Sequence, residues 1–393
     1  MNNPNQNILR RVNQVLPSED GLIDLMENKK IKIYQGFDPS APNLHIGHLV
    51  GLLQLKAFQD AGHEVIFLIG DFTGMIGDPT DKSATRPKLT HEQVLENAKT
   101  YKDQAGKILN FKGKNAAKLL FNSEWLSKLN FADVLEISSN LTVQQLLERD
   151  MFQDRIKAEK PIHLHEFLYP MLQGYDSVAM EVDVEVGGND QLFNMMTGRH
   201  LLKILKGKEK FVLTTKLLAD SSGAKIGKTT GNAINLFGNP NDLFGGIMSL
   251  SDDLIIPAFT LATEVPVDTI NQLENQIKES PMKIKKQLAF EITKLCQGEQ
   301  VASDAQKHFE STIQSKEAPQ EIEEVDVDKN THTALNIASS LNLGESNSER
   351  KRVISQGGFY VNQEKITNPQ QEIEIKGGEI VKFGKRQFKK IKE

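Results

Sequence analysis

The apolar positions change period repeatedly along the chain. Ile31 to Tyr34 reads as a strand, which passes through a Gly- and Pro-rich turn into a helix-period pattern over Ile46 to Ala61 and then into the apolar run Glu64 to Ile69. That order predicts a βαβ unit. A helix over His91 to Leu109, a strand over Lys118 to Phe121, helical segments as far as Glu181, a strand over Val182 to Val186 and a helix from about Asp190 to Leu205 follow. The alternation predicts an α/β fold, a Rossmann-like parallel sheet covered by helices, with ligands at the carboxyl ends of its strands.

After Asn235 the strand signal fades, and Asp242 to about Ser315 reads as helices punctuated by Pro257, Pro266 and Pro281. Between Glu317 and Asn330 six acids, one proline and few large apolar groups have the composition of a solvated linker. From Thr331 to Glu393, two short helical patterns precede short strands around Gly357-Gly358 and Gly377-Gly378, which predicts a small α+β unit. Boundaries are therefore expected as 1–234, with an insertion at about 110–185, then 235–316, a linker at 317–330, and 331–393. No internal repeat is visible.

Composition narrows the function. The chain has 393 residues, 38% hydrophobic and 25% charged, enough for a sizeable core and two or three domains. The longest strongly apolar run, Val65 to Ile69, falls far short of the roughly 20 residues that span a bilayer, and Met1 to Gly21 lacks a signal-type apolar block. The expectation is a cytoplasmic protein with no membrane partner. Cys296, the one cysteine, excludes an intramolecular disulfide and a cysteine-based metal cluster, and no metal site is expected. A net charge of −5 argues against a protein that coats nucleic acid, yet from Ser348 to Glu393 eleven Lys and Arg face six acids. The last segment is basic.

Residues 36–48 read Gly-Phe-Asp-Pro-Ser-Ala-Pro-Asn-Leu-His-Ile-Gly-His, after a strand and at the mouth of a helix. A helix N-terminus offers unpaired N–H groups and a positive dipole end, which favours phosphate. His45 and His48 share a helical face, and Gly47 permits close backbone approach. The pair alone is equally compatible with a helix cap or a metal site. Lys225-Ile226-Gly227-Lys228-Thr229 follows the turn-rich Asp220-Ser221-Ser222-Gly223; it lacks the glycine spacing of a Walker A loop. Gly77 to Arg86 forms a polar loop. On the mostly apolar segment His165 to Glu181, Tyr169, Gln173 and Asp176 stand at i, i+4 and i+7, one helical face, and a buried carboxylate there needs a partner. Pro170 must lie in the first turn or kink that helix. Gly187-Gly188-Asn189-Asp190-Gln191 marks another strand-to-helix turn, which by itself reads as a cap.

These pieces resemble the class I aminoacyl-tRNA synthetases, and among them the tyrosyl family. His45-Ile46-Gly47-His48 matches the first class I signature letter for letter. Lys225 to Thr229 is similar to the second, usually Lys-Met-Ser-Lys-Ser, keeping both lysines. The resemblance implies that Asp38, Ser40, Gly47, Gly188, Asp190 and Lys228 bind ATP. It implies that His45, His48, Lys82, Arg86, Lys225, Lys228 and Thr229 stabilise the departing pyrophosphate. It further implies that Asp176 and Tyr34 meet the phenol of tyrosine, that Tyr169, Gln173 and Asp78 hold its ammonium, and that Gln191 meets the carboxylate or α-phosphate.

The last segment resembles the α-L RNA-binding domain of a small-subunit ribosomal protein and of pseudouridine synthases. Arg350, Lys351, Arg352, Asn362, Lys365, Lys385 and Arg386 would then contact RNA. With 1–234 as catalytic domain and 235–316 as anticodon-binding domain, the implied reaction joins L-tyrosine to tRNA(Tyr) through tyrosyl-AMP. ATP with Mg²⁺ is then a substrate, no cofactor is tightly bound, and the enzyme is a homodimer. The rivals are a tryptophanyl enzyme, opposed by the Tyr34, Gln173, Asp176 set; an inactive RNA-binding paralogue, opposed by the retained histidines and lysines; and an adenylyltransferase, which would lack the lysine loop and the basic tail.

Overall fold

The computed structural model describes residues 4–80, 89–219, 226, 233–277, 279–311, 322–328, 330–344, 346–362, 364–384 and 387–392. The chain divides into two compact units, Met1–Gln306 and Lys307–Glu393. In the first, a six-stranded sheet comprises β1 (Val12–Leu16), β2 (Lys32–Phe37), β3 (Glu64–Ile69), β4 (Lys118–Phe121), β5 (Val184–Gly188) and β6 (Phe211–Thr215), in the spatial order β1-β6-β5-β2-β3-β4. Every pairing is parallel except that of β1 with β6. In β3 the five residues after Glu64 are all buried, the mark of a strand covered on both faces.

From β2 the sheet grows one way through β3 and β4 and the other way through β5 and β6. The topological switch point therefore lies between β2 and β5, where Ile33 pairs with Val184 and Tyr34 with Glu185. Ligand sites of open α/β sheets form at that crevice. Helix Ile46–Asp60 returns the chain from β2 to β3 and is buried along most of its length. Helices Leu164–Met180 and Leu192–Lys206 touch at Gly174 and Gly198.

Helices Pro240–Met248, Ile255–Ala262, Val267–Gln276 and Pro281–Gln297 belong to the same compact unit as the sheet. Pro281 opens its helix and Pro266 caps one, as their missing N–H groups allow, while Pro257 lies early in helix Ile255–Ala262. Among the described residues no single helix is long and apolar enough to cross a membrane; the pair Pro240–Met248 and Asp252–Ala262, bent by 106°, passes on length and composition only together.

Several elements differ from the sequence reading. Helix His91–Leu109 is two helices, His91–Ala98 and Tyr101–Ala105. The strand expected at Val182–Val186 starts at Val184 and ends at Gly188. β4 lies inside the stretch assigned to an insertion at about 110–185 yet pairs with β3, so residues 118–121 belong to the main sheet. Pro170 sits in the second turn of a 17-residue helix that continues past it. β1 and β6 were not anticipated.

The second unit holds a five-stranded sheet of β7 (Glu324–Val325), β9 (Phe359–Val361), β10 (Glu364–Ile366), β12 (Ile380–Phe383) and β13 (Gln387–Ile391), and a pair of β8 (Thr331–Thr333) with β11 (Glu372–Glu374). Helices Ala334–Ser340 and Asn347–Ser355 share its core with Val327, Phe359, Val361, Val381, Phe383 and Ile391. The expected linker at 317–330 thus needs correction. β7 runs parallel to β13, and Val327 is buried, so the second half of that acidic stretch is part of the folded unit.

Candidate active site

His45 caps helix Ile46–Asp60: its Nδ1 accepts from the Gly47 N–H at 3.2 Å, while Nδ1 of His48 accepts from the His45 N–H at 3.0 Å. The rings stack at 3.8 Å. Capping and phosphate chemistry are compatible, because an Nδ1 that accepts leaves the proton of neutral imidazole on Nε2. Both rings thereby become donors. A Cβ on residue 47 would lie 3.0 Å from Cε1 of His45, so a side chain there would crowd the capping histidine ring. The helix start is tied to the chain after the lysine loop by Ile46 N–H to Ile234 and Leu236 N–H to Leu44, and the Ile226 carbonyl lies near Gly47. Lys82, Arg86, Lys225, Lys228 and Thr229 fall outside the described residues.

Helix Leu164–Met180 presents its polar stripe to the switch point. Tyr169 donates to Asp38 Oδ2 at 2.8 Å, and Asp38 Oδ1 also accepts from Thr73 at 2.7 Å. Gln173 Nε2 donates to Glu185 Oε1 at 3.2 Å. Asp176 is buried and accepts from Trp125 Nε1 at 2.8 Å and Asn122 Nδ2 at 3.3 Å, the partners its burial demands. Desolvation raises the Asp176 carboxyl well above its ordinary range, with Trp125 and Asn122 pulling the other way. Asp78 accepts from Gln191 Nε2 at 2.6 Å and from the Thr80 hydroxyl at 2.6 Å, while Gln191 Oε1 accepts from Asn194 at 2.9 Å. Ser40 is exposed beside Asp38, its N–H on the Asp38 carbonyl at 2.7 Å. Gly188 ends β5 and Asp190 lies in the 3-10 turn Asn189–Gln191 that follows, in close contact, since a Cβ on Gly188 would meet Asp190 Oδ1 at 2.4 Å.

Beneath these residues lies a polar network that sequence reasoning missed. Lys210 and Glu185 form an ion pair with side chains 0% and 2% exposed. Lys210 Nζ also donates to Ser177 Oγ at 2.7 Å, Ser177 donates to Glu185 Oε2 at 3.2 Å, and Ser177 Oγ meets the Tyr34 hydroxyl at 2.9 Å. Burial raises the Tyr34 phenol far above its usual value, with Glu185 and Asp176 adding to it, so it keeps its proton. Burial also lowers Lys210, against the opposing charge of Glu185. Two further residues escaped the reading. Gln35 faces Gly51 with a buried Oε1 lacking a protein partner, and Arg149 donates to Thr80 Oγ1 at 2.6 Å with its guanidinium 5.0 Å from the Phe193 ring.

In the second unit Lys351, Arg352 and Lys365 are exposed. Arg350 instead binds internally, to the carbonyls of Leu343 and Gly344 at 2.7 and 3.0 Å and to Asn347 Oδ1 at 2.8 Å. Asn362 shapes a turn, accepting from the Ile380 N–H at 2.9 Å. Both residues are already engaged in holding the fold. Lys390 pairs with Glu324 at 2.8 Å and Lys389 with Glu323, so β7 neutralises part of the basic tail. Lys382 lies 5.6 and 5.4 Å from the Tyr360 and Phe388 rings, a contact the sequence did not suggest. Lys385 and Arg386 fall outside the described residues.

A sheet that is parallel except at one edge, with a histidine-capped helix after its central strand and a polar cluster at the switch point, is the arrangement that the class I aminoacyl-tRNA synthetase resemblance implies. Residues 26–314 match the model of the tRNA synthetases class I (W and Y), and the chain belongs to that family. The tyrosine–tRNA ligase of Thermotoga maritima is 42% identical over 389 residues, 98% of this chain and 96% of that protein. The one from Methylococcus capsulatus is 40% identical over 397 residues, 100% and 99% of the two. Similarity of this extent assigns the chain to the tyrosine branch of the family. Among solved structures, a C-terminally truncated mitochondrial tyrosyl-tRNA synthetase from Coccidioides posadasii covers 77% of this chain and 91% of its own, with a TM-score of 0.64 and 26% identity. The tyrosyl-tRNA synthetase of Archaeoglobus fulgidus, solved with L-tyrosine, shares the fold at 22% identity and a TM-score of 0.59, over 77% and 98% of the two chains.

Proposed function

We propose that this chain activates L-tyrosine with ATP and then charges tRNA(Tyr), using the residues at the β2/β5 switch point. Near-full-length similarity to tyrosine–tRNA ligases carries the reading. A tyrosine carboxylate oxygen attacks the α-phosphorus, the bond to the β-phosphate oxygen breaks, and pyrophosphate leaves. A hydroxyl of the terminal adenosine of tRNA next attacks the carbonyl of tyrosyl-AMP, releasing AMP.

Hydrogen-bond polarity supports the assignment of the amino-acid end. Tyr169 gives its proton to Asp38, and Gln173 gives an N–H to Glu185, so the Tyr169 oxygen and Gln173 Oε1 remain acceptors. Asp78 is an acceptor by nature. Three acceptors complement the three donors of an ammonium group. At the phenol end, Asp176 takes the substrate's proton and Tyr34 makes the second contact; a site that hydrogen-bonds a hydroxyl rejects the analogue without it, and tyrosyl enzymes are the usual illustration of that rule. Gln191 meets the carboxylate or α-phosphate, Gly188 and Asp190 the ribose, and Ser40 and Gly47 lie along ATP, with Asp38 acting through Tyr169. His45 and His48 donate to the triphosphate. Lys82, Arg86, Lys225, Lys228 and Thr229 then meet charge that develops on the leaving pyrophosphate, where donors lower the barrier most. Mg²⁺ arrives on ATP, held mainly by phosphate and water. Among the described residues no three His, Cys, Asp or Glu form a cage for it.

The basic second unit and the helices after Asn235 serve tRNA binding, Lys351, Arg352 and Lys365 contributing backbone contacts. A homodimer is compatible with the exposed apolar side chains of residues 131–164, where Phe131 and Leu164 are each 77% exposed and Leu135, Val143 and Ile156 are exposed too. Leu164→Glu should convert the dimer to monomer in size-exclusion chromatography with light scattering; an unchanged mass would place the interface elsewhere. The main test is ATP–pyrophosphate exchange. Tyrosine should support it and phenylalanine and tryptophan should not; exchange driven by tryptophan alone would overturn the assignment.

A further inference from the structure

Glu185 sits opposite Tyr34 across the switch point, and its carboxylate takes three donors: Gln173 Nε2 on Oε1, and Ser177 Oγ and Lys210 Nζ on Oε2. Ser177 is saturated in turn. Its proton goes to Glu185 and its oxygen accepts from Lys210, while the Tyr34 hydroxyl lies 2.9 Å from that oxygen. One buried ion pair is thereby connected to both ends of the amino-acid pocket. A carboxylate can only accept, so Gln173 must present its N–H to Glu185 and its Oε1 elsewhere; an uncharged amide at 185 would accept either orientation.

We propose that Glu185 and Lys210 are positioning residues for the amino acid, fixing which atom Gln173 offers to the ammonium. The inference rests on the tyrosine-activating reading above. Neither residue touches substrate. Lys210 reaches its place because residue 198 is glycine: a Cβ there would lie 2.7 Å from Nζ.

Removing one charge alone would strand the other in the interior, so the test uses the full-length protein with Glu185→Gln and Lys210→Met together. Inhibition of tyrosine-dependent ATP–pyrophosphate exchange is measured with L-tyrosinol, which carries ammonium and phenol, with 3-(4-hydroxyphenyl)propionate, which lacks the ammonium, and with L-phenylalaninol, which lacks the phenol hydroxyl. In the double variant tyrosinol and phenylalaninol, which both carry the ammonium, should bind about tenfold more weakly, the scale of one hydrogen bond to a charged group, while the propionate stays within about twofold. Equal weakening of all three inhibitors would mean a merely structural network, and no change in any would remove the link to the pocket; either result overturns the inference. Tyrosine-dependent exchange by the parent protein is the control, since its absence would sink the functional reading itself.

Discussion

Arg10 and Arg11 stand just before β1 and grip the carboxyl end of helix Ile255–Ala262, so they report on how the helical region is held to the sheet. Arg11 is buried and donates to the Leu261 carbonyl at 2.9 Å and the Thr263 carbonyl at 2.6 Å. Arg10 donates to the carbonyls of Thr260, Val265 and Phe259 at 2.8, 2.7 and 2.8 Å. The last carbonyls of a helix lack intrahelical partners and carry its negative dipole end, which a guanidinium fork satisfies. Burial, and then the neighbouring charge of Arg10, push Arg11 down to about 9 against the pull of Glu264, so it is still charged at neutral pH. Arg11→Met keeps much of the stem and removes both donors. Hydrogen bonds from a charged group contribute about 1.5–3 kcal/mol each, so the loss is about 3–6 kcal/mol. An unfolding entropy of about 2.1 cal/mol/K per residue gives a unit spanning Met1–Gln306 about 0.6 kcal/mol/K. Its midpoint should fall by about 5–9 °C in differential scanning calorimetry. Arg11→Lys, which can reach one carbonyl, should recover part of that. A midpoint for Arg11→Met within about 1 °C of the parent would refute the argument.

Two other outcomes follow from the site and the second unit. The folded-state pKa of Asp176 lies above its unfolded value, so between the two the native state binds more protons and stability falls as pH rises through that window. Asp176→Asn should therefore melt above the parent at pH 8, lose the difference as pH drops toward the ordinary carboxylate range, and lose tyrosine-dependent exchange; a pH-independent difference would contradict the linkage. In the second unit, Arg350→Gln should lower melting of that unit because three internal bonds go, whereas Lys351→Gln with Arg352→Gln should leave melting unchanged. The latter pair should instead weaken tRNA binding and shallow its salt dependence by about one to two counterions, and an unaltered salt slope would remove those residues from the RNA surface.

The β2-turn-helix unit was legible because its periods are clean, and β3 and β4 fall at the expected residues. β1 was not, for a physical reason. Its register shifts between Val12 and Gln14, so the buried residues Val12 and Val15 lie three apart and the period of two is lost. β6 carried a usable signal in Phe-Val-Leu-Thr-Thr, rich in strand-favouring side chains. β7 did not, since two residues in an acidic stretch have no pattern of their own. At the site, Tyr169, Gln173 and Asp176 were visible from helical spacing, but their anchors were not. Lys210 ends a run containing Lys203, Lys206 and Lys208 and looks solvated in one dimension; its burial depends on room left by Gly198, which only packing reveals.

The sequence also left open whether His45 and His48 cap a helix or serve phosphate, as though one role excluded the other. The geometry removes that opposition, because capping through Nδ1 is what makes Nε2 the donor. The same logic runs through the amino-acid pocket. Tyr169 and Gln173 each give a proton to a protein carboxylate and so keep acceptors for a ligand, and the Tyr34 hydroxyl is held beside Ser177. Internal hydrogen bonds therefore determine the sign each side chain shows to a ligand, and on the reading proposed above that ligand brings donors to Tyr169 and Gln173 and an anion to the helix N-terminus. Specificity on this view is lost by inverting a polarity as readily as by removing a contact, and the Glu185–Lys210 pair is where an inversion is most easily introduced without touching the pocket wall.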